Sequence, residues 1–354
     1  MLYRENGQFK STYASDQQML PIAQDRFFLL ALFAFAFLAV PFLASDYLFL
    51  SILIPFLILT LAAIGLNLLV GYCGQISIGH AAFMAVGAYA AYNLVLRLPQ
   101  LNFLVVLVLA GLIAAATGML FGIPSLRIKG LYLAVATLAA QFFMDWLFAR
   151  VKWLTNYSHS GSVSTASVEL FGWIVDTPPE KYVFLLGVLA VFTLVAKNLV
   201  RCHIGREWMA MRDMDIAAEV IGIRPVYAKL TAFAVSSFYV GVAGALWGFV
   251  HLGSWEPLAF NLTLSLNLLF MIIIGGMGSL LGSYFGAAFI VVLPIVLNQF
   301  PQWLGIPIST AMASHLEFMI FGALIVIFLI LEPHGLARLW AIGKEKLRLW
   351  PFPH

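Results

Sequence analysis

Charged side chains are scarce in this sequence. Only 10% of its 354 residues are Asp, Glu, Lys or Arg, whereas 62% are hydrophobic. A water-soluble domain cannot bury so large an apolar fraction. The formal net charge of +3 is too small and too scattered to indicate a nucleic-acid partner. The composition therefore predicts an integral membrane protein whose surroundings are the lipid bilayer.

Residue sets that carry catalysis are missing as well. The sequence contains no Gly-x-x-x-x-Gly-Lys-[Ser/Thr] phosphate loop, no His-Glu-x-x-His pair and no Gly-x-Ser-x-Gly elbow. No acidic or basic residue falls clearly at a predicted membrane midplane, which argues against coupling to protons or sodium ions. Its two cysteines, Cys73 and Cys202, fall on the predicted cytoplasmic side, where thiols stay reduced. We therefore expect a protein that is not an enzyme, binds no cofactor itself and receives its energy from elsewhere.

Hydrophobic runs are what the sequence has instead. They predict an all-α integral membrane fold, a polytopic helical bundle of about ten spans, because the short alternating strands of a barrel are not seen. The third and eighth runs are short, which favours tilted, re-entrant or interrupted helices. The predicted spans are 27–44, 48–71, 81–96, 102–121, 131–149, 182–197, 228–250, 261–275, 283–300 and 316–332.

The distribution of Lys and Arg predicts the orientation. With both termini in the cytoplasm, fifteen of these residues lie on the cytoplasmic side and four lie outside. This arrangement gives a cytoplasmic N-terminal tail (1–26), a transmembrane domain (27–332) and a basic cytoplasmic C-terminal tail (333–354). Within the transmembrane domain, loop 198–228 is cytoplasmic and loop 150–181 is the longest outer loop. The outer loop is either a connector or part of a receiving surface for an external partner.

The longest strongly charged stretch, residues 197–229, contains a short amphipathic pattern. The pattern predicts one helix with an apolar face, and Gly222 followed by Pro225 predicts where that helix ends. Two interpretations are open: the helix packs against its own membrane domain or the lipid interface, or it docks into a groove of a soluble partner. The apolar residues predicted to share the face are Trp208, Met211, Ile216, Val220 and Ile223.

Two glycine-rich stretches occur in opposite halves of the chain. They read GYCGQISIGHAAFMAVGAYAA (residues 71–91) and GGMGSLLGSYFGAAFI (residues 275–290), and each contains Gly-x-x-Ser. Small residues let helices approach closely in lipid, and glycines permit a broken helix beside a water-filled cavity. Such a pair is typical of an internal duplication of two halves with the transport pathway near its axis.

Polar side chains at membrane depth are costly unless they are paired or hydrated. Asn67 lies just before the first glycine stretch and Asn267 just before the second. His80 either titrates or serves as a hydrogen-bonded structural group. We predict a pathway set of Asn67, Gln75, Ser77, His80, Asn267 and Ser279. Other polar residues predicted at membrane depth include Gln141, Ser236, Ser237, Asn261 and Ser265.

Four motifs resemble the membrane subunits of bacterial branched-chain amino acid ABC importers, and more closely the M-type permease than its H-type partner. The resemblance extends from about residue 45 to residue 340. The motifs are GLNLLVGYCGQISIGHAAFMAVGAYAA (65–91), GREWMAMRDMDIAAEVIGI (205–223), GGMGSLLGSYFGAAF (275–289) and Glu332-Pro333-x-Gly335-Leu336.

The resemblance implies a role for the cytoplasmic helix. Permeases of ABC importers carry a Glu-Ala-Ala-x-x-x-Gly motif that docks into the ATPase. Residues 216–222 keep both alanines and the glycine, but Ile216 replaces the glutamate. This match favours docking to a soluble partner over packing on the membrane. The docking residues implied are Arg206, Trp208, Met211, Arg212, Ala217, Ala218, Glu219 and Gly222.

The resemblance also implies the assembly. The expected partners are a second, H-type permease, two cytoplasmic ATPases that bind the ATP, and a periplasmic binding protein. The expected location of the permease is the bacterial inner membrane. This chain would form half of the pathway for a small solute, most readily a branched-chain or other amino acid, with urea and small organic acids as further candidates. An ion-coupled secondary transporter or a channel for a small neutral solute is the alternative, and it would need no ATPase.

Overall fold

The computed structural model of the chain describes residues 11–12, 23–123, 130–158, 161–165, 168–170, 172–303 and 335–349, with isolated positions between 312 and 330. Within these residues, eight helical segments are long and apolar enough to cross a membrane. The prediction of an all-α polytopic membrane protein is confirmed. These segments are Asp25–Leu43, Asp46–Tyr72, Phe103–Gly122, Tyr132–Arg150, Pro178–Arg201, Pro225–Leu252, Pro257–Gly275 and Leu280–Leu297.

Two of the ten predicted spans are not among these eight. The third forms a helix, His80–Arg97. Its alanines, glycine and polar residues make it less apolar than the eight segments that are counted as membrane spans. The tenth, 316–332, is described only at separate positions, and the rest of it lies outside the described residues. Observed helices also run beyond the predicted limits, so that the loop predicted at 198–228 begins after Arg201 and ends before Pro225.

The α-helices are numbered here in chain order. The first seven are α1 (Ala23–Ala34), α2 (Val40–Leu43), α3 (Asp46–Leu48), α4 (Ile54–Asn67), α5 (His80–Arg97), α6 (Phe103–Gly122) and α7 (Leu131–Arg150). The next seven are α8 (Pro178–Arg201), α9 (His203–Asp213), α10 (Asp215–Val220), α11 (Pro225–Leu246), α12 (Leu262–Gly275), α13 (Leu280–Trp303) and α14 (Gly335–Leu349). Wider π-helical turns are Phe35–Ala39, Phe49–Leu53, Leu68–Tyr72 and Trp247–Leu252, and a 3₁₀ turn is Pro257–Phe260.

Helices α4 and α11 form the centre of the bundle. Most of their residues are buried, whereas the segment Asp25–Leu43 at the N-terminal side contributes no buried residue and lies at the periphery. Small residues make the central packing close: a Cβ added to Gly87 of α5 would collide with the carbonyl oxygen of Gly241 on α11. In lipid such close backbone packing replaces the hydrophobic driving force between helices.

Four short strands cover one end of the bundle, called here the strand end. β1 (Val163–Ser164) pairs antiparallel with β4 (Ser254–Trp255), and β2 (Val168–Leu170) pairs antiparallel with β3 (Trp173–Val175). These strands lie mostly in the predicted outer loop 150–181, for which no strand was predicted. They are two or three residues long, too short to produce a recognisable alternating pattern in the sequence.

The described ends of the chain meet one another. Lys344 of α14 forms an ion pair with Asp25 of α1 at 3.0 Å. Helix α14 starts at Gly335, whose backbone packs against Gly276 at the second glycine stretch. The two ends are therefore held together by contacts that connect with the glycine stretches.

Candidate functional site

The docking segment, defined here as residues 203–223, is two helices rather than the one predicted. Helix α9 ends at Asp213 and α10 begins at Asp215, because Met214 between them has an extended backbone (φ −155°, ψ 97°). An extended residue interrupts the helical register. Residues after Met214 consequently do not continue the face that Trp208 and Met211 begin.

The prediction of one shared apolar face is therefore wrong. Trp208 has 0% of its surface exposed and donates from its indole nitrogen to the Thr231 hydroxyl of α11 at 3.1 Å. By contrast, Ile216 is 73% exposed and Val220 is 82% exposed. Helix α9 is anchored to the membrane domain, while α10 presents its apolar side chains outward.

The predicted end of the segment is confirmed. Helix α10 stops at Val220, and Gly222 follows with φ +96°, a left-handed conformation that glycine adopts readily. The Ile223 amide then donates to the Ala218 carbonyl at 3.0 Å, which closes the helix end. Ala218 is buried beneath this turn, and Ala217 is exposed.

The exposed apolar face, defined here as Met214, Ile216, Val220 and Ile221, projects from this turn. An apolar cluster on a charged loop marks a contact site. Arg206 and Glu219 are exposed on the same segment, where charges can set the orientation of a partner. These positions agree with docking to a partner.

Arg212, another predicted docking residue, reaches the membrane domain with one end of its guanidinium, while 38% of its side chain stays exposed. Its Nη1 donates to the Gly71 carbonyl at 3.0 Å, and its Nε donates to Asp213 at 2.9 Å. The docking segment is thereby joined to the first glycine stretch. Sequence reasoning placed Arg212 on the partner side, because spacing along the chain does not reveal which way a long side chain turns.

The two glycine stretches touch one another at the glycine contact, defined here as Asn67, Gly71 and Gly278. A Cβ on Gly71 would collide with both the Gly278 amide and the Asn67 side chain. Asn67 Oδ1 accepts from the Gly278 amide at 2.8 Å, and its Nδ2 donates to the Ser279 carbonyl at 2.8 Å and to the Ser283 hydroxyl at 3.0 Å. The buried side-chain amide of Asn67 thus holds together the two glycine stretches, at each of which the helix is interrupted.

The first glycine stretch contains a real interruption. Residues 74–79 leave the helix, and α5 starts at His80 inside the bundle. Its first amides are satisfied by side chains of other helices. The Ile78 amide donates to Thr137 at 3.0 Å, Ala81 to Ser265 at 2.8 Å and Ala82 to Gln141 at 2.8 Å.

His80 bridges this interruption to α11. Its Nδ1 lies 2.8 Å from the Ser77 hydroxyl and its Nε2 lies 2.9 Å from the Ser236 hydroxyl. The imidazole is buried, and both ring nitrogens are engaged. This geometry agrees with the interpretation of His80 as a hydrogen-bonded structural group.

The structure brings most of the predicted pathway set together at the two breaks. Asn67, Gln75, Ser77 and His80 are buried, and Ser279 lies beside Asn67. Asn267 is half-buried within α12, apart from this network. Their part in transport stays a prediction. Thr137 and Ser283 were missed, although Ser283 lies inside the second glycine stretch and could have been included on that ground.

A cavity of about 690 Å³ lies between the docking segment and the first break, beside the contact that Arg212 makes with Gly71. Cys73, Gly74 and Gln75 line it on the membrane side. Residues 211–217 line it on the docking side, with Gly130, Leu133 and Lys229 at its edges. The turn between α9 and α10 therefore has open space beside it and is not packed flat against the bundle.

Known proteins have sequences similar to that of this chain. The family described as branched-chain amino acid transport system / permease component matches residues 48–329. The high-affinity branched-chain amino acid transport system permease protein LivM of Salmonella typhimurium LT2 is 30% identical over 337 residues, covering 88% of this chain and 75% of the relative.

Two further relatives extend the comparison. LivM of Escherichia coli K12 is 30% identical over 306 residues, covering 79% of this chain and 68% of that protein. A probable branched-chain amino acid transport permease of Methanocaldococcus jannaschii is 22% identical over 325 residues, covering 80% and 92%. No solved structure matches the chain.

These matches confirm the predicted family and the predicted function as the permease subunit of an ABC importer. They do not favour an ion-coupled carrier or a channel. The chain belongs to the branched-chain amino acid transport system permease family and is a multi-pass protein of the inner membrane.

Proposed function

We propose that this permease carries branched-chain amino acids into the cell, powered by ATP that partner subunits hydrolyse. This substrate is the one for which its relatives in Salmonella and Escherichia coli are named. In this proposal the chain binds no nucleotide and no cofactor. Its contribution is half of the pathway and one attachment point for an ATPase.

The observation that carries this proposal is the exposed apolar face of the docking segment. Met214, Ile216, Val220 and Ile221 stand out into water, although α9 beside them is well packed. Exposing four large apolar side chains together is unfavourable unless a partner covers them. An ATPase groove of apolar character with charged edges would bury them and pair with Arg206 and Glu219.

The proposed orientation places the docking segment and both termini in the cytoplasm. The pairing of Asp25 with Lys344, and the packing of Gly335 against Gly276, support a common side for the two ends. The basic residues of loop 198–228 agree with this side. The strand end then faces the periplasm, where the binding protein would deliver its solute beside exposed Trp173 and Ile174.

The pathway would run between this chain and the second permease. The glycine contact supports this assignment, because glycine breaks at membrane depth occur beside cavities and moving elements. ATP binding would close the two ATPases, shift both docking segments and switch access from one side to the other. Residues Asn67, Gln75, Ser77, His80, Asn267 and Ser279 would line or support that pathway.

Co-purification with partner subunits tests the proposal. The tagged chain is expressed with its neighbouring genes, purified in mild detergent and assayed for ATP hydrolysis with binding protein that is empty or loaded with leucine. We expect a stable complex whose hydrolysis rises with the loaded binding protein. A chain that purifies alone and transports solute without ATP would contradict the proposal.

A further inference from the structure

Arg212 is the residue at which the docking segment and both glycine stretches meet. Its guanidinium donates to the Gly71 carbonyl at 3.0 Å. Its side-chain carbons lie over Gly74, where an added Cβ would come within 2.9 Å of Arg212 Cγ. A Cβ on Gly278 would lie 3.2 Å from Arg212 Nη1. Three glycines from the two breaks therefore surround one arginine.

The Gly71 carbonyl is available because the helix is broken there. In a continuous α-helix the Gln75 amide would donate to Gly71. Here the Gln75 amide donates to the Leu69 carbonyl instead, at 3.2 Å. A cation is the favoured partner for a carbonyl at a helix end, and Arg212 supplies it.

The same arginine lies next to the part of the chain that a partner would move. Met214, two residues further on, is exposed and marks the change of direction between α9 and α10. Open space beside this turn leaves room for it to shift. Helix α10 also leads into α11 at Pro225. A displacement of α10 would therefore reach the membrane domain by two routes, one of which is the end of α9, where Arg212 holds Gly71.

We propose that Arg212 is a positioning residue that transmits movement of the docking segment to the glycine contact. The inference rests on the proposed ATP-driven function. When α10 is displaced, Arg212 moves relative to Gly71, and the Gly71–Gly278 packing that Asn67 fixes changes with it. Assembly and ATP hydrolysis do not depend on this bond, whereas the switch of the pathway does.

Variants of Arg212 in the assembled complex test this inference. Arg212→Ala is expected to fold, because its partner Asp213 is 66% exposed and is not left as a buried charge. It should assemble, keep basal ATP hydrolysis, and lose uptake by about tenfold or more, the scale of a charge-assisted hydrogen bond. Arg212→Lys should recover part of the uptake, because it keeps the charge but not the planar fork. The matched control is Arg224→Ala, an exposed arginine of the same loop.

A second measurement does not depend on the ATPases. Hydrogen exchange is followed by mass spectrometry on the full chain in nanodiscs, with and without Arg212→Ala. We expect faster exchange in the segments that contain Gln75 and Gly278 and unchanged exchange around Trp208. A general increase across the chain would indicate lost folding and overturn the positioning role.

Other outcomes also decide the matter. Uptake by Arg212→Ala at the wild-type level would overturn the inference, and so would loss of assembly in proportion to loss of uptake, which would make Arg212 a docking contact. If the wild-type complex transports without ATP, the proposed function fails. The inference then fails with it. Unchanged exchange at the glycine contact in Arg212→Ala, in a complex that does need ATP, would overturn the inference alone.

Discussion

Asn67 joins two segments that lie more than two hundred positions apart in the chain. Its side chain makes three hydrogen bonds, all to the second glycine stretch, and it is fully buried. Buried amide groups of this kind are expensive to leave unpaired. At the scale of single residues, the glycine contact therefore depends on this amide.

Replacing Asn67 tests this dependence. Asn67→Ala should lower the free energy of unfolding by about 1–3 kcal/mol, because the Gly278 amide loses its acceptor inside the bundle. Thermal unfolding of the purified chain measures the change. Asn267→Ala, at a half-buried position before the second stretch, is the control and should cost less. Equal losses for the two variants would contradict a special role for Asn67.

At the scale of residues, the sequence predicts which polar side chains lie at membrane depth but not which groups they bond to. Asn67, Ser77 and His80 are predicted to matter because polar side chains at membrane depth need hydrogen-bond partners or water. Asn67 pairs with Ser283 and His80 pairs with Ser236, both on other helices, and pairing across helices leaves no periodic mark in one sequence. The direction of Arg212 was hidden for a similar reason, since a long side chain reaches about as far inward as outward.

At the scale of elements, helix packing depends on glycines that face other backbones. Gly87→Ala should destabilise the chain by about 1–3 kcal/mol, because the new methyl group would collide with the Gly241 carbonyl. Gly187→Ala is the control, since nothing lies within 4 Å of that position and alanine favours a helix by about 0.5–1 kcal/mol. Unfolding midpoints in detergent would measure both. A Gly87→Ala protein as stable as the wild type would show that this packing is not tight.

In the docking segment the sequence pattern predicted one helix, whereas the structure has two. Its predicted helix placed Met211 and Ile216 on one face, yet they are five positions apart, a spacing that one helical face does not contain. That gap, together with Asp215 at the start of the second helix, is the signal that indicates two helices. The end at Gly222 was predictable because glycine in the left-handed region is a local property.

Separate roles for α9 and α10 lead to an element-scale prediction. Ile216→Asp together with Val220→Asp should abolish co-purification of the ATPases and leave the stability of the chain unchanged, because both side chains are exposed. Met211→Asp, on the buried side of α9, should instead destabilise the chain by several kcal/mol. Pull-down and thermal unfolding separate these results. Normal recovery of the ATPases with the double variant would refute the docking assignment.

At the scale of the whole molecule, composition predicted the class of fold well. A chain with so few charges has to lie in lipid, and helices are the natural way to satisfy its backbone there. The strand pairs that cover one end were not predicted, since two-residue strands depend on contacts between distant loops. Helix α5 has a low mean hydropathy because it lies inside the bundle, where a buried helix can carry His80 and several alanines.

The orientation can be tested with cysteine labelling. In a chain carrying Cys202→Ser, with Cys73 left buried, Ile174→Cys at the strand end should react with an impermeant maleimide in intact cells. Glu345→Cys in α14 should react only after the inner membrane is permeabilised. Reaction of both positions in intact cells would contradict termini that lie in the cytoplasm.

The most direct test of the whole assembly is uptake of labelled leucine by proteoliposomes. The complex is reconstituted with binding protein in one compartment and ATP in the compartment that contains the docking segments. We predict uptake that requires both ATP and binding protein, is reduced by isoleucine and valine, and disappears with Ile216→Asp and Val220→Asp. Uptake that continues without ATP, or that the docking variant leaves unchanged, would contradict an importer driven through this segment.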